Sequence, residues 1–390
     1  MFLSSVCENF KQLNPPIPEL FKANGTTDPS FSNANINSIE EYIEMLYEDT
    51  EKQKASSLIL SLCLKVSNLK TLSENEVLIG ALTRVFREDG RKNFDLGTNL
   101  ASVFFQFSLF SKFHGMLSHY KIGALSLQLV ESELKRYDMW HDQYVHAAGD
   151  QKRKWELAMR KQEVFLVECL KILANLATET KTEVKMVKRG LLQSLFKCLE
   201  HTKSALLLKT AILFLWKLSV YAENKDAMDK LGVVERVVEL LPNSDSELAN
   251  LIFSLMFNLA FDQALRAKMV SSGLTNHVAG HISTSEVALG LLYQLSIVDD
   301  AKAIFTFTDS IPALIQLLKD RPDSLTVKGI LVNVAVEKRN AQLICGADGK
   351  GLNELMEMAF KKEDPMLFKL IRNLGTHEGP IQQLFVVSYF

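Results

Sequence analysis

Apolar residues along the chain fall at helical spacing, and one short phrase of them keeps returning. It is a run of apolar residues, one polar residue, one apolar residue, then Ser, Ala or Gly. It reads LCLKVS (Leu62–Ser67), VFFQFS (Val103–Ser108), ILANLA (Ile172–Ala177) and FLWKLS (Phe214–Ser219). It continues as LMFNLA (Leu255–Ala260), LLYQLS (Leu291–Ser296), ILVNVA (Ile330–Ala335) and LIRNLG (Leu370–Gly375). The polar positions are Lys65, Gln106, Asn175, Lys217, Asn258, Gln294, Asn333 and Asn373. Successive spacings are roughly 36 to 42 residues, with one of about 70, a period that belongs to units of two or three helices.

Each phrase sits on a predicted helix. Leu248, Leu251, Ile252, Leu255, Met256 and Leu259 follow an i, i+3, i+4, i+7 pattern, which is one buried helical face. Ser244-Asp245-Ser246-Glu247 ahead of it has capping-box spacing, and Asp364-Pro365 offers an N-cap followed by a first-turn proline. Upstream of most phrases a turn residue opens another amphipathic helix, as at Gly190, Gly232, Gly273 and Ser310-Ile311-Pro312. The gap from turn to polar residue leaves room for two helices and short loops. The predicted fold is all-α, an armadillo-repeat right-handed superhelical solenoid over residues 38–390, with Ser38 capping the first helix.

Two regions break the rhythm. Residues 1–37 hold Pro15, Pro16, Pro18 and Pro29 among many Asn and Ser, and are expected to form a disordered lead-in. The long spacing between Gln106 and Asn175 contains a charged helical insertion at about 131–163, whose apolar residues are too sparse for a core face. Two readings fit it: a solvated helix pair protruding from the stack, or a docking arm that uses Trp140, Tyr144 and Trp155.

Composition narrows the function. The chain has 390 residues, 47% hydrophobic, with 44 Lys+Arg against 46 Asp+Glu and a net charge of −2. No basic excess points to nucleic acid, and the most apolar stretch, Leu206–Val220, is interrupted by Lys209 and Lys217 and too short to span a bilayer. Five unpatterned cysteines and an N-terminus without a signal-peptide pattern suggest a reducing, cytoplasmic setting. His277 and His281 stand one turn apart without the glutamate a zincin needs, and the loop Gly346–Gly351 lacks the residues of a phosphate loop. The expectation is a protein with no catalytic residues, no metal, no cofactor and no small-molecule substrate.

What remains is the polar ladder. One amide per repeat along a concave groove can bond the backbone of an extended peptide, or else satisfy neighbouring groups between helices. Asn175, Asn258, Asn333 and Asn373 carry the regular pattern, while Lys65, Gln106, Lys217 and Gln294 depart from it. The positions four residues before the asparagines are Lys171, Ser254, Gly329 and Lys369 rather than tryptophan, which argues against binding of nuclear-import signals.

Several segments resemble one family within the armadillo superfamily. They are EEYIEMLYED (Glu40–Asp49), GALTRVFRED (Gly80–Asp89), FSKFHGMLSHYKIGAL (Phe110–Leu125) and ELKRYDMW (Glu133–Trp140). KLSVYAENKDAM (Lys217–Met228), FNLAFDQALRAKMV (Phe257–Val270), KRNAQLIC (Lys338–Cys345) and RNLGTHEGP (Arg372–Pro380) complete the set. These segments are similar to the kinesin-associated proteins, the non-motor subunits of heterotrimeric kinesin-2. The resemblance implies an adaptor that binds the kinesin-2 motor heavy-chain tails and links them to cargo proteins. It also implies a role in intraflagellar transport and cilium assembly, in the cytoplasm on the cytoskeleton and in the cilium. A generic armadillo scaffold in adhesion or signalling is the alternative. Members of the family are longer at both ends, so the chain reads as shortened, and its apolar finish, Leu384–Phe390, is expected to need a cover.

Overall fold

The computed structural model describes residues 34–178, 180–201 and 204–387. Residues 1–33, most of the expected lead-in, and the final Ser388–Phe390 lie outside the described residues. Among the described residues there are 24 helices and no strand. Helices of successive units pack side by side, so the chain is an all-α solenoid of armadillo-type repeats. The chain divides into two compact units between Phe214 and Leu215.

In the first unit, α1 (Ile39–Met45) and α2 (Lys52–Cys63) precede a triplet of α3 (Leu69–Glu74), α4 (Glu76–Glu88) and α5 (Phe94–Ser108). The next triplet is α6 (His114–His119), α7 (Ile122–His146) and α8 (Gly149–Leu176); α9 (Thr180–Lys188) and α10 (Leu191–His201) follow, and α11 (Ala205–Leu218) contains the division, its last residues belonging to the second unit. The second unit holds α12 (Ala222–Leu231), α13 (Val233–Leu240) and α14 (Ser246–Leu259), then α15 (Gln263–Ser271), α16 (Leu274–Ala279) and α17 (Glu286–Leu295). It continues with α18 (Asp299–Phe305), α19 (Ser310–Asp320) and α20 (Leu325–Val334), then α21 (Lys338–Cys345), α22 (Lys350–Lys362), α23 (Pro365–Gly375) and α24 (Pro380–Val387). The third helix of each triplet packs on its counterpart in the next: α2, α5 and α8 in one unit, α14, α17, α20 and α23 in the other.

Local chemistry sets these boundaries. Asp245 accepts a hydrogen bond from the Leu248 N–H at 2.8 Å, and Asp364 accepts from Met366 and Leu367 ahead of Pro365, so both third helices start where their caps stand. Gly232 and Gly273 adopt φ of 75° and 81° between first and second helices, a left-handed turn in which a side chain would be strained. Ser38 makes no side-chain capping bond to α1; Asn35 instead caps the 3₁₀ turn Ile36–Ser38 that leads into it.

The far ends of the third helices carry a second device. Their last carbonyls have no partner within the helix. In several of them a side chain six residues on reaches back: Asn68 to Leu62 O at 3.0 Å, His114 to Ser108 O at 2.9 Å, Arg266 to Ala260 O at 2.8 Å and Asn340 to Val334 O at 3.1 Å. Asn224 does the same to Leu218 O at 2.9 Å. This places the first repeat differently from its expected register. α2 ends at Cys63, so its phrase is Leu58–Cys63, with Ser61 in the polar position. Lys65 stands beyond the helix, exposed, and is not part of the ladder. The segment Leu62–Ser67 has the right letters, but Asn68 capping Leu62 ends the helix before Lys65 can face the stack.

Candidate functional site

The polar ladder runs along the packed third helices, and three of its asparagines make the same pair of contacts. Asn175 Nδ2 donates to Ser108 Oγ at 2.9 Å, Asn258 Nδ2 to Ser219 Oγ at 3.0 Å and Asn333 Nδ2 to Ser296 Oγ at 3.0 Å. Each serine closes the phrase of the preceding repeat and donates to the carbonyl three residues back: Ser108 to Phe105, Ser219 to Trp216, Ser296 to Tyr293. The amide and hydroxyl therefore staple one third helix to the next. Where Ala335 replaces the serine, Asn373 Nδ2 bonds the equivalent carbonyl, Val332 O, directly at 2.9 Å. Gln294 belongs to the same ladder and accepts from Arg266 Nη1 at 3.5 Å.

The ladder residues differ in access. Asn175, Asn258, Gln106 and Gln294 are buried, and Asn258 Oδ1 is enclosed without a hydrogen-bond partner. Asn333, Asn373 and Lys217 are half-buried. A side chain touching a ligand without rearrangement must be one of the latter three.

The charged insertion is built from the second and third helices of a single triplet, α7 and α8, each drawn out to about twice the usual length and joined by Ala147-Ala148. Its base is pinned by Glu133, which is fully buried. The carboxylate accepts from Arg91 Nε at 2.9 Å and Gln162 Nε2 at 2.8 Å and pairs with Arg136 at 3.3 Å; Gln162 also bonds the Glu133 carbonyl at 2.9 Å. These are charge-assisted contacts to a fully buried carboxylate from partly exposed arginines, and they leave Gln162 Oε1 enclosed without a partner. Further out, Trp140 and Trp155 face one another with ring centroids 5.7 Å apart, and Phe94 meets Trp140 at 5.9 Å. Lys152 covers the Tyr144 ring at 4.9 Å. The structure brings all three aromatics onto the seam of the hairpin, half-buried against each other and their neighbours.

The chain matches the family model described as Kinesin-associated protein (KAP) over residues 20–390. It belongs to the kinesin-associated protein family. Among solved structures, an engineered protein aligns with 15% identity over 91% of this chain and 92% of its own, at a TM-score of 0.57. A chain from a study of the phosphorylation switch that controls the interaction between cadherin and beta-catenin aligns at 13% identity, covering 90% of this chain and 64% of its own, with a TM-score of 0.64. A designed armadillo repeat protein resembles it more loosely, at 14% identity over 65% of this chain and a TM-score of 0.47.

Family and fold together make this kinesin-associated protein a protein-binding scaffold of the adaptor type. The four described cysteines are buried. Burial pushes Cys198 up to about 12 and Cys345 to about 11, and raises Cys63 and Cys169 further, so none is a thiolate near neutral pH. His281 Nδ1 lies 2.9 Å from His277 O and its ring packs against Phe253. Among the described residues no cluster of His, Cys, Asp and Glu is placed to hold a metal, and no helix is long and apolar enough to cross a membrane.

The residues that sequence reasoning overlooked are the serines. In the repeats as the structure registers them, every phrase that ends in Ser (108, 219, 296) is followed by one whose polar residue is Asn (175, 258, 333). That pairing is visible in the letters once successive phrases are compared rather than aligned singly.

Proposed function

We propose that this chain is the non-catalytic adaptor of a kinesin-2 motor, holding the motor heavy-chain tails and linking them to cargo proteins for microtubule-based, intraflagellar transport and cilium assembly. The observation that carries the reading is the family match across nearly the whole chain. A stack of third helices within each unit suits it physically, because it repeats similar side-chain positions from one helix to the next. We assign Asn333, Asn373 and Lys217 as direct ladder contacts, since they are half-buried, and give Asn175, Asn258, Gln106 and Gln294 the task of fixing the register of the surface. Trp140, Tyr144 and Trp155 hold the hairpin in shape and present it as a second contact arm. The adaptor works in the cytoplasm, on the cytoskeleton and in the cilium, with no nucleic acid, membrane insertion, cofactor or small-molecule substrate.

Co-purification with the two kinesin-2 heavy-chain tails tests this. The expected result is a stable ternary complex at physiological salt. Loss of both tails from a gentle-salt pull-down with the folded chain would refute the motor reading and favour a general scaffold in adhesion or signalling.

A further inference from the structure

The rim of the second unit, where the third helices end, carries an apolar residue at the same place in four consecutive repeats. Val220, Phe261, Ile297 and Val336 each stand two residues past the end of α11, α14, α17 and α20. They are exposed by 58%, 43%, 43% and 49%, although the residues before them are buried. Large apolar side chains left open at the same register position on successive repeats make a patterned strip rather than scattered exposure. The ladder residues beside them are buried or half-buried, so the rim is the more accessible surface.

Two cations flank this strip. Lys225 and Arg266 both stand seven residues past the end of the preceding third helix. Lys225 Nζ donates to Asn258 O at 2.7 Å and lies 5.9 Å from the centre of the Phe261 ring. Arg266 Nη1 donates to Ala260 O and Gln294 Oε1, at 2.8 and 3.5 Å. Among the described residues neither has a carboxylate in salt-bridge range, whereas Lys302, at the next equivalent place, is paired with Asp299 at 2.5 Å. Burial pulls the Lys225 ammonium below its usual range, opposed by the nearby Asp262. Two partly buried cations held only by neutral oxygens retain spare donors for an anion.

Spacing sets the form of the occupant. Packed helices are about 8–10 Å apart, and an extended or polyproline-like chain advances about 3.1–3.4 Å per residue. One repeat therefore matches about three residues of an extended chain. We propose that this rim docks an extended segment of a partner protein, with aliphatic side chains at about every third position over Val220, Phe261, Ile297 and Val336, and carboxylates at the end that meets Lys225 and Arg266. The inference rests on the adaptor reading only for the identity of the partner, not for the chemistry of the surface.

The test is fluorescence anisotropy with the full chain and three labelled synthetic peptides of about a dozen residues. One has leucine at every third place with Asp and Glu between; the second replaces the acids with Lys; the third replaces the leucines with Ser. The acidic leucine peptide is expected to bind at least 10-fold more tightly than either control. Ile297→Ser with Val336→Ser should weaken it at least 10-fold. Lys225→Gln with Arg266→Gln should do the same and remove most of its salt dependence. Thermal melts establish that each variant is folded, and single Val336→Ser replaces the pair if the pair is not. Equal binding of the basic peptide, or wild-type affinity in both folded variants, would overturn the proposal. Motor tails that bind while rim variants have no effect on peptide affinity would sink the rim and leave the adaptor reading standing. Rim-dependent peptide binding by a chain that captures no tails would do the reverse.

Discussion

The asparagine–serine staple makes an asymmetric prediction at Asn258 and Ser219. Removing the amide with Asn258→Ala loses the 3.0 Å bond to Ser219 Oγ and the longer 3.4 Å approach to Trp216 O. A neutral buried hydrogen bond contributes about 1 kcal/mol net, and a small cavity adds to the loss. The enclosed, unpartnered Oδ1 disappears at the same time, which returns part of that cost. The net destabilisation is about 1–2 kcal/mol. Ser219→Ala should be cheaper, about 0.5 kcal/mol, because the amide can settle on Trp216 O. Asn373 shows that geometry already, bonding Val332 O at 2.9 Å where Ala335 stands in place of a serine. The assay is urea unfolding followed by Trp216, in a Trp140→Phe, Trp155→Phe background that leaves it as the one remaining tryptophan of the three. A double-mutant cycle then isolates the coupling. If Ser219→Ala costs as much as Asn258→Ala or more, the fallback bond does not form and the staple is misassigned.

Three further outcomes follow from the geometry. Glu133→Ala should destabilise the first unit by about 2–3 kcal/mol by denaturant midpoint, at the low end for a broken buried pair because Arg91 and Arg136 can regain water; a loss below about 1 kcal/mol would show that the network contributes little. Burial of Asp364 opposes its charge, yet the Lys328 ammonium and the Leu367 and Met366 N–H groups hold its carboxyl below the usual range. A depressed folded value means the stabilisation is complete above the unfolded value near ~4 and lost as pH falls below it, so Asp364→Asn should flatten the acid limb of a pH–stability curve of the second unit. Finally, Cys63, Cys169, Cys198 and Cys345 should resist a thiol reagent in the native chain and react together on unfolding; fast native labelling at any of them, read by peptide mass, would contradict their burial.

Much of this protein is written in periodicity. A three-helix unit must bury one stripe per helix, so apolar residues have to return at helical spacing within it and at repeat spacing between units. That requirement sets the all-α class and the repeat, and Asp364-Pro365 marks one cap; at α14 the cap is Asp245 rather than the Ser244 of the capping-box spacing. Periodicity is blind to where a helix stops. Leu62–Ser67 spells the phrase, but a capping contact from Asn68 decides that α2 ends at Cys63, and Lys65 drops out of the ladder. Likewise the insertion was legible as a break in charge pattern, whereas its being two stretched helices of one triplet depends on Glu133 finding Arg91 and Gln162, which are distant in sequence.

The sequence by itself determined which positions are polar in every repeat but the first, because a ladder of single polar residues in apolar phrases is a local fact wherever the helix runs to the end of the phrase. Only the tertiary structure decided what those residues do. An amide's role depends on the partner a neighbouring repeat brings to about 3 Å, and that partner is a serine 37 to 67 residues earlier, or a bare carbonyl where alanine stands in its place. The same separation left the exposed rim unread: Val220, Phe261, Ile297 and Val336 look like ordinary core letters until the helices end beneath them.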